Sequence, residues 1–307
     1  MAFGARWRRD TIQPQPTDVT HQEEEAMQVC HTIEELRAAR AQLPAPVGFV
    51  PTMGYLHAGH LELVRRSLLE NAATVVSIFV NPIQFDRKDD LDAYPRDVPR
   101  DLRLLEEAGV DLVFVPDVEV MYPEGFATTV HISGITEVLE GAHRPGHFDG
   151  VATVVSKLFN IVQPDRAYFG QKDAQQVVVV KRLVADLNFP IEIRTVPTVR
   201  EHDGLALSSR NVRLSPEGRA IAPKLYQALH AAEEAWLRGE RRAEVLRGIV
   251  EERLAEEPAI RVEYVSLAHP EQLHELSGEI EAGLLSLAAW IDNVRLIDNV
   301  PLPPVKE

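Results

Sequence analysis

Over the first two thirds of the chain, short apolar runs alternate with longer stretches whose apolar residues recur every third or fourth position. Val47–Val50, Thr74–Val80, Asp111–Val115, Arg166–Phe169 and Ile191–Val196 read as strands, and their near-continuous apolar character predicts a sheet covered on both faces. The stretches between them predict helices near Leu61–Asn71, Asp97–Ala108, Val151–Val162 and Ala174–Leu187. This alternation predicts an α/β fold built on a doubly wound, mostly parallel sheet, whose ligands sit beyond the carboxyl ends of the strands. Upstream, Thr32 caps a further helical pattern through Ile33, Leu36, Ala39 and Leu43.

Beyond about Arg200 the pattern changes. Helical Glu217–Leu237 and Arg242–Leu254 precede strand-like Ile260–Leu267, Leu284–Ile291 and Val294–Ile297, which predicts a smaller C-terminal α+β domain. The short polar join Thr198–Gly204 would let that domain hinge over the first as a lid. Residues 1–26 carry the Glu23-Glu24-Glu25 run and few apolar side chains, so a disordered extension is expected there, with Met27 as the expected biological start. The expected division is therefore 1–26, 27–199 and 200–307.

With 307 residues, 45% of them hydrophobic, the chain can bury one large core or two unequal ones. A formal net charge of −15 argues against a nucleic-acid partner, which needs a basic face, and requires any anionic ligand to meet locally concentrated cations. No apolar run approaches the roughly 20 residues that span a bilayer, and no signal-peptide core follows the basic Met1–Asp10, so no membrane partner and a cytoplasmic location are expected. The single cysteine, Cys30, reads as a packing residue rather than a nucleophile.

The segment Val50-Pro51-Thr52-Met53-Gly54-Tyr55-Leu56-His57-Ala58-Gly59-His60 leads from a strand into a helix. A glycine-bearing loop at a helix start offers free backbone N–H groups and the positive end of the helix dipole, a phosphate site. His57 and His60, one turn apart, can donate to phosphate oxygens, and Gly59 would allow a ligand to approach closely. Two ligands of a zinc site, completed from elsewhere, and chance spacing stay open at this point. Asn81-Pro82-Ile83-Gln84-Phe85 places two amides at a strand end, suited to a hydroxy acid. Gly170-Gln171-Lys172-Asp173-Ala174-Gln175-Gln176 combines a close-approach glycine, a phosphate-seeking ammonium and a carboxylate able to cap a helix or hold a metal. Leu207-Ser208-Ser209-Arg210-Asn211 offers hydroxyls and a guanidinium beside the hinge, and His143-Arg144-Pro145-Gly146-His147-Phe148 can bring cations to the cleft. The charged Asp86–Asp101 stretch reads as a solvated loop, with Asp101 kept as a magnesium contact.

Taken in order from about Met27 to Val300, PTMGYLHAGH, NPIQF, YPRD, HRPGHFDGVATVV, GQKDAQQ and LSSRN resemble the pantothenate synthetase (pantoate–beta-alanine ligase) family of the HxGH nucleotidyltransferase superfamily. The resemblance implies a Rossmann-like fold, ATP as substrate with Mg2+, pantoate and β-alanine as the other small molecules, a pantoyl-adenylate intermediate, and a homodimer formed through the larger domain. It implies that His57 and His60 contact the ATP phosphates while Lys172, Ser208, Ser209 and Arg210 complete the clamp, with His57, His60, Lys172 and Arg210 catalytic. Gly170 and Val199 would flank the nucleotide, Thr52 and Met53 would form the wall next to pantoate with Met53 also reaching ATP, and Gln84 and Gln176 would orient pantoate. Asp173 fits a ribose- or magnesium-linked role. Ser208–Arg210 where the superfamily often carries lysine favours the ligase over a tRNA synthetase. A nucleotidyltransferase with another acceptor and a non-catalytic nucleotide sensor are the competing readings.

Overall fold

A computed structural model describes residues 26–304. Apart from Ala26, the extension expected at residues 1–26 lies outside the described residues. Six strands form the larger sheet: β1 (Gln28–Cys30), β2 (Val47–Thr52), β3 (Ala73–Ile78), β4 (Leu112–Phe114), β5 (Arg166–Gly170) and β6 (Glu192–Val196). Their order is β1-β4-β3-β2-β5-β6, and every pair is parallel. The five expected strands are present within a few residues of their expected limits. The edge strand β1 was not expected. It has three residues, of which Cys30 alone is buried, too short for a periodicity to show.

Helices cover both faces because adjacent strand residues point to opposite sides. Phe49 packs with Leu36, Phe114 and Phe159 under the helices Ile33–Arg40, His147–Val162 and Ala174–Asp186. Its neighbour Val50 joins Val64, Val76 and Leu105 under Ala58–Glu70 and Val98–Ala108. That two-sided burial explains the unbroken apolar runs.

The C-terminal part forms an antiparallel meander of β7 (Arg261–Ala268), β8 (Gly283–Ile291) and β9 (Val294–Leu302). Asp292 and Asn293, both at positive φ, turn β8 into β9, the backbone a two-residue hairpin favours. Helices Pro223–Leu237 and Ala243–Ala255 seat Leu229, Trp236 and Leu246 against Leu267, Leu287 and Leu296 in a second core. The single helix expected over Glu217–Leu237 is two, Pro216–Ile221 and Pro223–Leu237. Pro223 has no N–H to continue the first. Among the described residues no helix is long and apolar enough to cross a membrane.

The strand order reverses at β2, with β3 on one side and β5 on the other. A crevice opens at the carboxyl ends of strands at such a switch point. The loops after β2, β3 and β5 carry the histidine, amide and lysine motifs.

Candidate active site

Strand β2 ends at Thr52, whose hydroxyl donates to Ser77 O at 2.7 Å and accepts from Gly54 N–H at 3.2 Å. The chain then turns through Gly54 at φ +80°, where a side chain would press on Ile78 and the Asp101 carboxylate. His57 is the N-cap of the helix Ala58–Glu70 rather than part of it. His57 Nδ1 accepts from Gly59 N–H at 3.1 Å and His60 Nδ1 from His57 N–H at 3.4 Å, a reciprocal cap. Both rings therefore carry their proton on Nε2, and they stand 4.1 Å apart on the cleft wall. Gly59, expected to admit a ligand, lines the cleft and also makes room for the His57 ring, which lies 2.9 Å from where a Cβ would stand.

Burial pushes the His57 imidazole down to about 4, with Lys172 adding to the effect, and pushes His60 to about 3 with help from His57. At neutral pH both are uncharged donors, so the fixed positive charge lining the cleft comes from Lys172, Arg144 and Arg210.

The cleft, about 230 Å³, brings together all but one of the residues expected in the site. Thr52, Met53, His57 and His60 come from the β2 end. Gln84 comes from the 3-10 turn Pro82–Gln84 after β3. Gly170, Lys172, Asp173 and Gln176 follow β5, and Val199, Ser208, Ser209 and Arg210 come from the segment beyond β6. Asn81 Nδ2 donates to Gln84 Oε1 at 2.9 Å and Gln84 Nε2 contacts Met53 Sδ at 3.2 Å, while Tyr122 OH donates to Asn81 Oδ1 at 2.7 Å. Lys172 Nζ lies 3.4 Å from Asp173 Oδ1. Burial opposes ionisation of Asp173, but Lys172 outweighs it and holds the carboxyl below its ordinary range. A second chamber of about 170 Å³ shares Arg144, Lys172, Asp173, Ser208 and Arg210 with the cleft. Together they offer space of the order a nucleotide-sized ligand needs.

The sequence matches the family described as Pantoate-beta-alanine ligase over residues 28–301. The chain belongs to the pantoate–beta-alanine ligase family. Pantothenate synthetase from Chloroflexus aggregans is 63% identical over 275 residues, covering 89% of this chain and 99% of that protein. The crystal structure of pantothenate synthetase from Thermus thermophilus superposes with a TM-score of 0.86 at 54% identity, covering 91% of this chain and 100% of that one. A pantoate-beta-alanine ligase from Francisella tularensis, crystallised with beta-gamma ATP and beta-alanine, superposes at 0.75 with 35% identity over 90% of this chain and 98% of that one. The protein is accordingly a ligase.

For this ligase the magnesium contact expected at Asp101 is corrected. The Asp101 side chain is fully buried, and its oxygens accept from Tyr55 N–H at 2.6 Å and Leu56 N–H at 2.8 Å. It shapes the histidine loop from the helix Val98–Ala108 and does not line the cleft. Among the described residues no group of three or more His, Cys, Asp or Glu side chains could hold a metal, so the open two-histidine metal reading finds no completing ligands.

The solvated reading of Asp86–Asp101 is also corrected in part. Asp90 accepts from Arg210 Nη2 and Arg213 Nη1, each at 2.7 Å, and Asp86 accepts from Arg144 Nε at 3.0 Å. Sequence reasoning missed Asn299 of β9. Its Nδ2 donates to the carbonyls of Gln171 and Lys172, each at 3.0 Å, and so steadies the lysine loop from the other sheet. At the start of the polar join, the Thr198 hydroxyl is buried without a protein partner, and Thr198 lines the cleft. No local sequence signal distinguishes Asp90 or Asn299, because their partners are distant along the chain.

The histidine states are testable. His147 Nδ1 lies 2.7 Å from Gln84 O and its Nε2 accepts from Arg144 Nη1 at 3.2 Å, so this ring carries its proton on Nδ1, the opposite tautomer to His57 and His60. Burial, then Arg144, lowers it to about 4. Ring nitrogen NMR of the ligand-free protein should show three neutral histidines with these tautomers between pH 6 and 8. Because the unfolded chain binds these protons from about pH 6.5 downward and the folded chain does so only near pH 3 to 4, their stability contribution is present above 6.5 and is lost on acidification. The urea midpoint should fall over that window, with His147 alone contributing on the order of 3 kcal/mol.

Proposed function

We propose that this cleft joins pantoate to β-alanine at the expense of ATP, through pantoyl adenylate. In the first step a pantoate carboxylate oxygen attacks the α-phosphorus, and the bond to the bridging oxygen breaks to release pyrophosphate. In the second the β-alanine amine attacks the pantoyl carbonyl, the bond to AMP breaks, and the amine loses a proton. No enzyme nucleophile is involved. The protein's task is to position two anions and neutralise their charge.

The observation carrying this reading is the convergence, at one strand-order switch point, of two Nε2–H donors, Lys172 and Arg210 with the amides Gln84 and Gln176. The cations and imidazoles suit a triphosphate and its departing pyrophosphate. The neutral amides suit the hydroxyl and carboxylate of pantoate. ATP and β-alanine are the ligands named for the Francisella relative. Met53, Gly170 and Val199 would contact the nucleotide, with Ser208 and Ser209 donating to phosphate and Thr52 lining the pantoate side. A magnesium ion would find Asp173 as its cleft carboxylate and take its other ligands from phosphate and water, as that ion prefers. Closure of residues 200–307 as a lid over 27–199, and assembly as a homodimer through the larger part, belong to the same reading.

Purified protein given ATP, magnesium, pantoate and β-alanine should form pantothenate, AMP and pyrophosphate. With β-alanine omitted, labelled pyrophosphate should exchange into ATP only when pantoate is present. Exchange without pantoate, or an adenylylated end product, would favour a different nucleotidyltransferase.

A further inference from the structure

The acceptor brings its own carboxylate to a cleft that already holds the anionic adenylate, and that group needs a cation outside the phosphate cluster. We propose that Arg144 binds the carboxylate of the incoming amino acid and selects an ω-amino carboxylate over an uncharged amine, an inference that rests on the ligase reading above.

Arg144 sits in the short turn between the helices Glu140–His143 and His147–Val162 and lines both the main cleft and the second chamber. Its side chain is 16% exposed, neither sealed in the core nor free in solvent. Two contacts fix the guanidinium plane: Nε donates to Asp86 Oδ1 at 3.0 Å, and Nη1 donates to His147 Nε2 at 3.2 Å. A guanidinium has five N–H groups, so the Nη2 edge keeps donors for a carboxylate while the plane is already oriented. That pre-orientation lowers the entropic cost of binding.

The same ring ties Arg144 to the pantoate side. His147 passes its Nδ1–H to the Gln84 carbonyl at 2.7 Å, and Gln84 is the amide assigned to pantoate. Gly150 presses on this turn, since a Cβ there would meet Ile83 O at 2.5 Å and Gln84 Cα at 2.6 Å. Asp86, Arg144, His147 and Gln84 thus form one chain of contacts in which the acceptor's charged end is held at a set distance from the pantoyl group. Lys172, by contrast, pairs with Asp173, and Arg210 with Asp90 near the serine loop. Arg144 is the cleft cation tied through His147 to the Gln84 turn.

The test compares Arg144→Gln and Arg144→Lys in the two half-reactions. Arg144→Gln should raise the KM for β-alanine about tenfold or more, as loss of a charge-assisted pair does, while pantoate-dependent pyrophosphate exchange changes less than about threefold. Its preference for β-alanine over β-alaninamide should collapse. Arg144→Lys, which keeps the charge without the fork, should recover part of that preference. A parallel fall in exchange, a raised KM for pantoate, or an unchanged preference would overturn the proposal and assign Arg144 to pantoate or to holding the turn. A wild-type protein with no pantoate-dependent exchange would instead sink the ligase reading, so the two failures are distinguishable.

Discussion

Replacing Lys172 with alanine should cut pantoate-dependent pyrophosphate exchange on the order of a thousandfold, the scale seen when a fixed group facing developing charge is removed. Thermal unfolding should stay cooperative with little change in midpoint. The basis is local. The Lys172 side chain is 19% exposed and faces the cleft, and its only protein partner with opposite charge among the described residues is Asp173. The loop itself is held by Asn299 through main-chain carbonyls, which the substitution leaves in place. With His57 and His60 uncharged at neutral pH, no imidazolium stands by to replace the lost ammonium. Exchange retained within tenfold, or loss of a cooperative transition, would place the lysine outside the chemistry.

The second large effect is on stability. Arg295 of β9 donates to Glu140 Oε2 at 2.6 Å and Oε1 at 2.8 Å, and also to Glu263. Tyr264 OH adds a bond to Glu140 at 2.8 Å, and Trp290 Nε1 one to Glu263 at 2.9 Å. Burial opposes ionisation of Glu140, but Arg295 outweighs it and keeps the carboxyl below its ordinary range. Arg295→Ala would leave two little-exposed carboxylates with no guanidinium. Removing one member of such a pair costs about 3–5 kcal/mol, on the order of 10 °C in melting midpoint for a chain of this size. A drop under about 2 °C would show that water already serves these carboxylates. Because Glu140 belongs to the larger part and Arg295 to β9, this clasp also sets the position from which Asn299 reaches the lysine loop.

Much of this was legible in the residues. Unbroken apolar runs specified buried parallel strands because both faces of β2 and β3 are covered, and their carboxyl-terminal loops carried the motifs that meet in the cleft. The misreadings share a cause. Asp101 and Asp90 look alike in a charged stretch, yet one is sealed under the histidine loop and the other ties down Arg210. A carboxylate's role depends on which donors reach it, and those donors lie 45 to 123 positions away.

The sequence by itself determined the element types, the two-layered covering of the parallel sheet, and the chemical kinds of group at the strand ends, since periodicity and local turn chemistry act over a few residues. Tertiary structure alone decided that His57 caps its helix, that the paired imidazoles present Nε2–H without charge, that Asp101 is structural, and that Arg144 is tied through His147 to the Gln84 carbonyl. Protonation, orientation and pairing are set by burial and by partners brought together through strand order, and neither quantity is encoded in any short stretch of chain.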